Sequence, residues 1–211
     1  MKLVIFDFDG TLFFETSNIN YYAINKALAE FGKPNISFER ANRTVGDKVT
    51  DMCRSLMGTD DEVLVNQYYQ FLMKYVLEAI ESMAKMEQGA IAMLSTLKHL
   101  GYRLAICSNG EKLYLDALFD KFDIRKYFDY IWTFRPGFTK VDGIGYIKQH
   151  FQCTKAVMVG DRNEDVISGR ANNCTTVAIK NSFGDSEVDS ADFVVNSHKE
   201  MLEAILYAVS L

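Results

Sequence analysis

The sequence predicts an α/β protein with a doubly wound parallel sheet that is interrupted after its first strand by a helical insert. Two observations support the sheet: short apolar runs rich in β-forming residues recur along the chain, and segments with helical spacing lie between them. A third observation supports the insert. The stretch from about Glu15 to Glu87 has no such run and is built from helical segments.

The apolar runs are short and lack polar alternation, which is typical of strands buried on both faces of a parallel sheet. The first run, residues 2–6 (KLVIF), ends at charged residues and Gly10. Further runs lie at residues 102–107, 130–134, 156–159 and 175–179, with a weaker one at 193–195.

Apolar residues at helical spacing predict the crossover helices between these strands. The clearest face is Ala90, Met93, Leu94, Leu97 and Leu100, with Gly101 as a stop signal. Similar faces are Ile144, Ile147 and Phe151, and Met201, Leu202, Ile205 and Val209. Because strands and helices of this length alternate, the sheet is expected to be parallel.

The insert contains predicted helices at about 17–31, 47–57 and 61–86, separated by the turn signals Gly32–Asn35 and Met57–Asp60. We therefore expect two domains: a core of residues 1–14 and 87–211, and a helical cap of residues 15–86.

Composition excludes several classes of function. The formal net charge is −5, so a nucleic-acid-binding surface is not expected. Cys53, Cys107, Cys153 and Cys174 are scattered, which predicts reduced thiols without a zinc site or a disulfide framework. No run is long enough to span a bilayer or to act as a signal peptide, so we expect a cytoplasmic protein with no membrane partner.

The most specific motif is FDFDGTL, which puts Asp7 and Asp9 directly after the first strand. In open parallel sheets, ligands bind at the carboxyl ends of strands. Gly10 and Thr11 predict a tight turn whose N–H groups can meet an anion. A lone DxD would be better explained as a helix cap and a turn, but the longer string at a strand end is far more specific.

Two weaker motifs follow other strands. Ser108-Asn109-Gly110 puts a hydroxyl donor at a strand end, although the same string is also an ordinary loop. Asp161 and Asp165 in GDRNED supply carboxylate oxygens of the kind that Mg²⁺ binds. Taken alone, these acids would be interpreted as a helix cap and first-turn acids.

Together these motifs resemble the haloacid dehalogenase superfamily, specifically its phosphatase branch related to phosphoglycolate phosphatases. The resemblance covers essentially the whole chain and implies a Rossmann-like core with a helical cap. It implies that Asp7 attacks phosphorus and that Asp9 is the general acid/base. The substrate would be a small phosphorylated metabolite, handled by a monomer or a homodimer.

The resemblance also implies the ligands. Mg²⁺ would be held by Asp7, the main-chain carbonyl of Asp9 and Asp161, with Asp165 in or near the metal shell. Ser108, Asn109 and Lys140, with Gly10 and Thr11, would hold the phosphoryl group. Relatives often carry Lys-Pro at the lysine motif, whereas this chain has Thr139-Lys140-Val141. Lys140 is preferred over Lys148, which is interpreted as a solvated helix residue.

Further polar and glycine residues outside these motifs have a functional interpretation and an ordinary structural one. Gly46 and Lys48 lie in a loop that resembles a substrate-reading loop of related phosphatases, and an ordinary turn explains them equally well. His99, His150 and His198 are interpreted as surface or helix-end residues without a role.

Three alternative functions share parts of this residue pattern. A dehalogenase fits less well, because halide leaves without a proton and Asp9 would be superfluous. A phosphomutase uses the same residues and stays open. A non-catalytic sensor is disfavoured by the intact Asp7, Asp9 and Asp161.

Overall fold

A computed structural model of the chain describes residues 2–44, 48–180 and 188–210. The chain divides into two compact units. The sheet unit comprises Met1–Phe14, Met86–Ser108 and Asp123–Leu211, and the helical unit comprises Glu15–Lys85 and Asn109–Phe122. The assignment of these units as a catalytic core and a cap remains a prediction.

The sheet unit is built on a six-stranded parallel sheet. In chain order its strands are β1 (Leu3–Phe6), β2 (Arg103–Cys107), β3 (Tyr130–Trp132), β4 (Ala156–Gly160), β5 (Cys174–Ile179) and β6 (Phe193–Val195). The strand order across the sheet is β3-β2-β1-β4-β5-β6. The chain therefore reverses its direction of travel across the sheet at β1 and β4, which is the place where α/β sheets open a crevice for ligands.

Nine α-helices are described: α1 (Thr16–Glu30), α2 (Phe38–Asn42), α3 (Val49–Met57), α4 (Glu62–Met83), α5 (Gln88–His99), α6 (Lys112–Phe122), α7 (Lys140–His150), α8 (Asn163–Ala171) and α9 (His198–Ser210). Helices α1 to α4 and α6 belong to the helical unit, and the other four belong to the sheet unit. No helix within the described ranges has both the length and the apolar character needed to cross a membrane.

Strand β1 lies at the centre of the sheet because its four residues are all apolar. Each is at most 1% exposed, and the strand pairs with β2 on one side and β4 on the other. Burial on both faces removes the need for alternating polar residues, as the sequence predicted. The residues that follow β1 and β4 consequently start from a rigid framework.

Helix α7 packs closely against the sheet because Gly143 has no side chain. A Cβ atom there would lie 2.8 Å from Nε1 of Trp132 and 2.9 Å from Sγ of Cys107. The helix begins with a capping box in which the Thr139 hydroxyl accepts from the Asp142 N–H and the Asp142 carboxylate accepts from the Thr139 N–H. Together these features fix the position of Lys140, the first residue of α7.

The predicted fold class is confirmed, and every predicted strand is present. The predicted apolar face of α5 is wrong at Leu100, which is 47% exposed, whereas Ala90, Met93, Leu94 and Leu97 are buried. Leu100 follows His99, the last residue of α5, and its backbone is no longer helical, so the spacing of the buried face does not extend to it. No disulfide joins the four cysteines.

Candidate active site

Asp7 is the first residue after β1 and is only 7% exposed. Its backbone N–H donates to the carbonyl of Val159 on β4, 2.8 Å away, so the sheet itself fixes the residue. Asp9 is half-buried two residues later, in a turn that pairs its backbone with Phe13. The two predicted carboxylates thus follow the central strand directly.

The turn after Asp9 is closed by its own backbone. Gly10 has a φ of +75°, a conformation that favours glycine. Its N–H donates to the carbonyl of Phe13, and the Thr11 N–H donates to the carbonyl of Phe8. Since these N–H groups are engaged within the turn, we assign Gly10 and Thr11 the task of shaping the loop. Their contact with phosphate remains a prediction.

Lys140 brings a buried cation to the nucleophile. Its Nζ lies 3.2 Å from Oδ1 of Asp7 and 2.6 Å from Oδ1 of Asp165, and its side chain is 4% exposed. Burial alone lowers the pKa of Lys140, but Asp165 and Asp7 outweigh that effect and hold the pKa well above its ordinary value. The ammonium group is therefore charged at any physiological pH.

Lys148, the alternative lysine, lies two turns further along α7. Its Nζ donates to the carbonyl of Asn172 at the end of α8. Eight residues of helix correspond to about 12 Å of rise, so Lys148 stands well away from Lys140. Lys148 is half-buried and binds the C-terminal end of α8, so its interpretation as a solvated helix residue is wrong.

Asp165 organises the loop after β4. One carboxylate oxygen, Oδ1, accepts from Lys140, and the other accepts from the N–H groups of Asp161 and Arg162, 3.1 and 3.0 Å away. The Asp165 side chain can lie this close to the backbone after β4 only because residue 160 is glycine: a Cβ on Gly160 would lie 2.2 Å from Cγ of Asp165. Both Asp165 oxygens are thus engaged, which favours a positioning role over direct coordination of a metal.

Asp161 is 3% exposed, and its Oδ1 accepts from the hydroxyl of Thr11, 3.2 Å away. This bond joins the loops after β1 and β4. Asp7, Asp161 and Asp165 each offer a carboxylate oxygen, and these three atoms all lie within 4.8 Å of one another. Within the part of the chain that the structure describes, these three residues form the acidic cluster that could hold a metal ion.

The charge of this cluster fits a divalent cation. The three carboxylates are buried together, and the Lys140 ammonium group lies within salt-bridge distance of two of them, Asp7 and Asp165. Burial raises the pKa of Asp7 well above its ordinary value. The positive charge of Lys140 opposes this rise but does not cancel it, because the negative charges of Asp165, Asp161 and Asp9 act in the same direction as burial. A hard cation with oxygen ligands, such as Mg²⁺, balances that negative charge.

The remaining predicted site residues lie as follows. Ser108 follows β2, is 3% exposed, and its N–H donates to the carbonyl of Trp132. Asn109 is half-buried and begins the second segment of the helical unit. Lys48 is exposed directly before α3. Gly46 lies outside the described residues.

One residue of this region was missed by the sequence analysis. His198 does begin helix α9, as a helix-end residue would, but it is buried and its Nε2 lies 2.9 Å from the carbonyl oxygen of Thr11. The sequence carried no signal for this contact, because 187 residues separate the two partners.

Comparison with known proteins shows the family and the fold of the chain. Residues 4–179 match the model of the family described as haloacid dehalogenase-like hydrolase. A phosphoglycolate phosphatase from Agrobacterium fabrum is 25% identical over 197 residues, covering 88% of this chain and 82% of the relative. One from Haemophilus influenzae is 26% identical over 198 residues, covering 84% and 85%.

Among solved structures, a predicted phosphoglycolate phosphatase from Haemophilus somnus superposes with a TM-score of 0.84. The alignment covers 97% of both chains at 19% sequence identity, so this similarity bears on the fold.

Proposed function

We propose that this phosphatase, a chain that belongs to the haloacid dehalogenase-like hydrolase family, hydrolyses a small phosphate monoester through a covalent intermediate on Asp7. One observation carries the proposal: Asp7, Lys140, Asp161 and Asp165 converge in a buried cluster where β1 and β4 end and α7 begins. Its chemistry suits an anionic substrate whose charge must be neutralised before a carboxylate can attack it.

In this proposal, a carboxylate oxygen of Asp7 attacks phosphorus, and the bond to the leaving alkoxide breaks. Asp9 gives that alkoxide a proton and then removes a proton from the water that attacks the aspartyl-phosphate. The second step releases phosphate and restores the Asp7 carboxylate. One positioned carboxyl group can serve both halves because it is left deprotonated by the first and reprotonated by the second.

The other residues prepare this attack. Lys140 places its charge beside Asp7 and the incoming phosphoryl group, and Ser108 is proposed to donate its hydroxyl to a phosphoryl oxygen. Asp7, the Asp9 carbonyl and Asp161 would hold Mg²⁺, which supplies neutralisation of the phosphate charge when bound. Asp165 is proposed to position Lys140 and the backbone of Asp161.

The relatives suggest phosphoglycolate as the first substrate to assay, since both are named for that activity. We further propose Lys48 and Gly46 as residues that read the leaving group. A cytoplasmic location completes the proposal.

The direct test is release of inorganic phosphate from p-nitrophenyl phosphate and from a panel of metabolites that includes phosphoglycolate. We expect release with Mg²⁺ and loss of turnover in excess EDTA, restored by added Mg²⁺, because the buried acidic cluster leaves the phosphate charge unbalanced without a cation. Full activity in EDTA would contradict the metal assignment. Transfer of phosphate to a second position of the substrate, without release, would identify a phosphomutase.

Asp9→Asn should slow turnover by roughly 10²–10⁴-fold, the usual scale of general acid–base catalysis. The amide keeps the size of the side chain but cannot exchange a proton with the alkoxide or with water. Steady-state kinetics with an alkyl phosphate measure the effect, and Asp60→Asn, an exposed acid of the helical unit, is the control. Near-normal turnover in Asp9→Asn would remove Asp9 from the acid/base role.

A further inference from the structure

His198 is held in a closely packed site within the sheet unit. Its ring is stacked on Phe14, with centroids 5.4 Å apart and an interplanar angle of 18°. On the α5 side the ring is accommodated by Gly89, where a Cβ would lie 3.4 Å from the Cβ of His198 and 3.5 Å from its Nδ1. The residue is 7% exposed, so its orientation is fixed by packing.

The contact with Thr11 fixes the hydrogen on the imidazole. A carbonyl oxygen can only accept, so Nε2 of His198 carries the hydrogen and donates it to Thr11, 2.9 Å away. Burial lowers the pKa of His198, although the Thr11 bond and the charge of Glu87 oppose that effect. At neutral pH the ring is therefore the uncharged tautomer with its hydrogen on Nε2.

Thr11 connects this contact to the acidic cluster. Thr11 is completely buried, and its hydroxyl donates to Oδ1 of Asp161, 3.2 Å away. Its main chain is thus bound by His198 while its side chain binds Asp161. A displacement of the Thr11 main chain, which the bond to His198 resists, would carry the hydroxyl away from that carboxylate.

We propose that His198 is a positioning residue for Asp161: it holds the Thr11 carbonyl and thereby keeps the Thr11 hydroxyl on the carboxylate. This inference rests on the proposed Mg²⁺ site, in which Asp161 is a ligand. Hydrogen-bond partners that orient a ligand typically contribute 10- to 100-fold to metal affinity or activity. A purely structural role for His198 would affect the stability of α9 and leave Asp161 untouched.

A matched pair of substitutions at His198 separates the effect of losing the hydrogen-bond donor from the effect of losing the ring packing. His198→Gln and His198→Met are similar in length and both lose the aromatic stack, but only glutamine keeps an N–H group. We expect the methionine variant to bind Mg²⁺ about 10-fold more weakly than the glutamine variant. Calorimetric titration with Mg²⁺ alone measures this without turnover, and His99→Gln with His99→Met, at an exposed helix end, is the control pair.

A double-mutant cycle tests the route through Thr11. Thr11→Val removes the hydroxyl but keeps the carbonyl, so it should weaken Mg²⁺ binding by itself. It should also abolish most of the difference between the glutamine and methionine variants, because the link to Asp161 is already broken. Coupling in this cycle would show that His198 affects Mg²⁺ binding through the Thr11 hydroxyl, which a role confined to packing α9 would not produce.

The outcomes are distinct. Equal Mg²⁺ affinity in the two His198 variants, or strict additivity with Thr11→Val, would overturn the role of His198 while leaving the proposed function intact. If His198→Met does not fold, unchanged Mg²⁺ affinity in Thr11→Val would still overturn it. Absence of Mg²⁺ binding by the wild-type protein would instead contradict the proposed function.

Discussion

Asp7→Asn should abolish phosphate release while the protein remains folded. The amide has nearly the same shape as the carboxylate, so the short strand β1 and its bond to Val159 are undisturbed. It lacks the negative oxygen that would attack phosphorus, and no covalent intermediate can form. Phosphate release measured over several hours, with wild-type protein at the same concentration, gives the comparison. Retained turnover would show that another group is the nucleophile.

The same substitution should raise stability in the absence of metal. The folded-state pKa of Asp7 lies well above its ordinary value, chiefly through burial. A carboxyl group of this kind favours folding when protonated, and its contribution is lost as the pH rises from about 3.9 toward the folded-state pKa. The neutral amide avoids that loss. At pH 7, in EDTA, urea unfolding should give a larger free energy of unfolding for Asp7→Asn than for wild type.

Added Mg²⁺ should reverse that order. A bound cation stabilises the folded protein in proportion to its affinity, and the wild type retains all three carboxylates. The Asp60→Asn variant, which removes an exposed acid, should follow wild type under both conditions. If Asp7→Asn were less stable than wild type in EDTA, the acidic cluster would not carry the unbalanced charge that we assign to it.

The strands could be predicted from the sequence because burial on both faces demands continuous apolar residues. That constraint is local, and it also places Asp7 and Asp161 at strand ends. Lys140 was chosen from its position before a helix, and its contact with Asp7 depends on how closely α7 packs. Gly143 permits that packing, and nothing in the pattern around it distinguishes Gly143 from an ordinary helix glycine.

Contacts between distant parts of the chain could not be predicted. Asp165 was expected in or near the metal shell, but its partners depend on the absence of a side chain at Gly160 and on the reach of Lys140. The burial of His198 depends on Phe14 and Gly89, each more than 100 residues away. Helix α6 belongs to the helical unit although the chain enters it from β2. Periodicity within one segment contains no information on such pairings.

Lys140→Met should cause the largest combined loss of stability and activity. Methionine fills a similar volume but removes the only cation within salt-bridge distance of Asp7 and Asp165 among the described residues. Breaking a buried ion pair from one side typically costs about 3–5 kcal/mol, because the remaining charge stays buried. Turnover should fall by at least about 10²–10³-fold, the scale seen when one group that stabilises transition-state charge is removed.

Lys148→Met is the matched control, since it removes the same charge from the same helix. That lysine binds the Asn172 carbonyl, so its loss should cost no more than about 1–3 kcal/mol and leave kcat unchanged. Urea unfolding in EDTA gives the stabilities, and p-nitrophenyl phosphate hydrolysis gives kcat. Excess Mg²⁺ should restore part of the stability of Lys140→Met, because a bound cation compensates the same carboxylates, but it should not restore kcat. If the Lys148 variant lost activity and the Lys140 variant kept it, Lys140 would have no place in phosphoryl transfer, whatever its distance from Asp7.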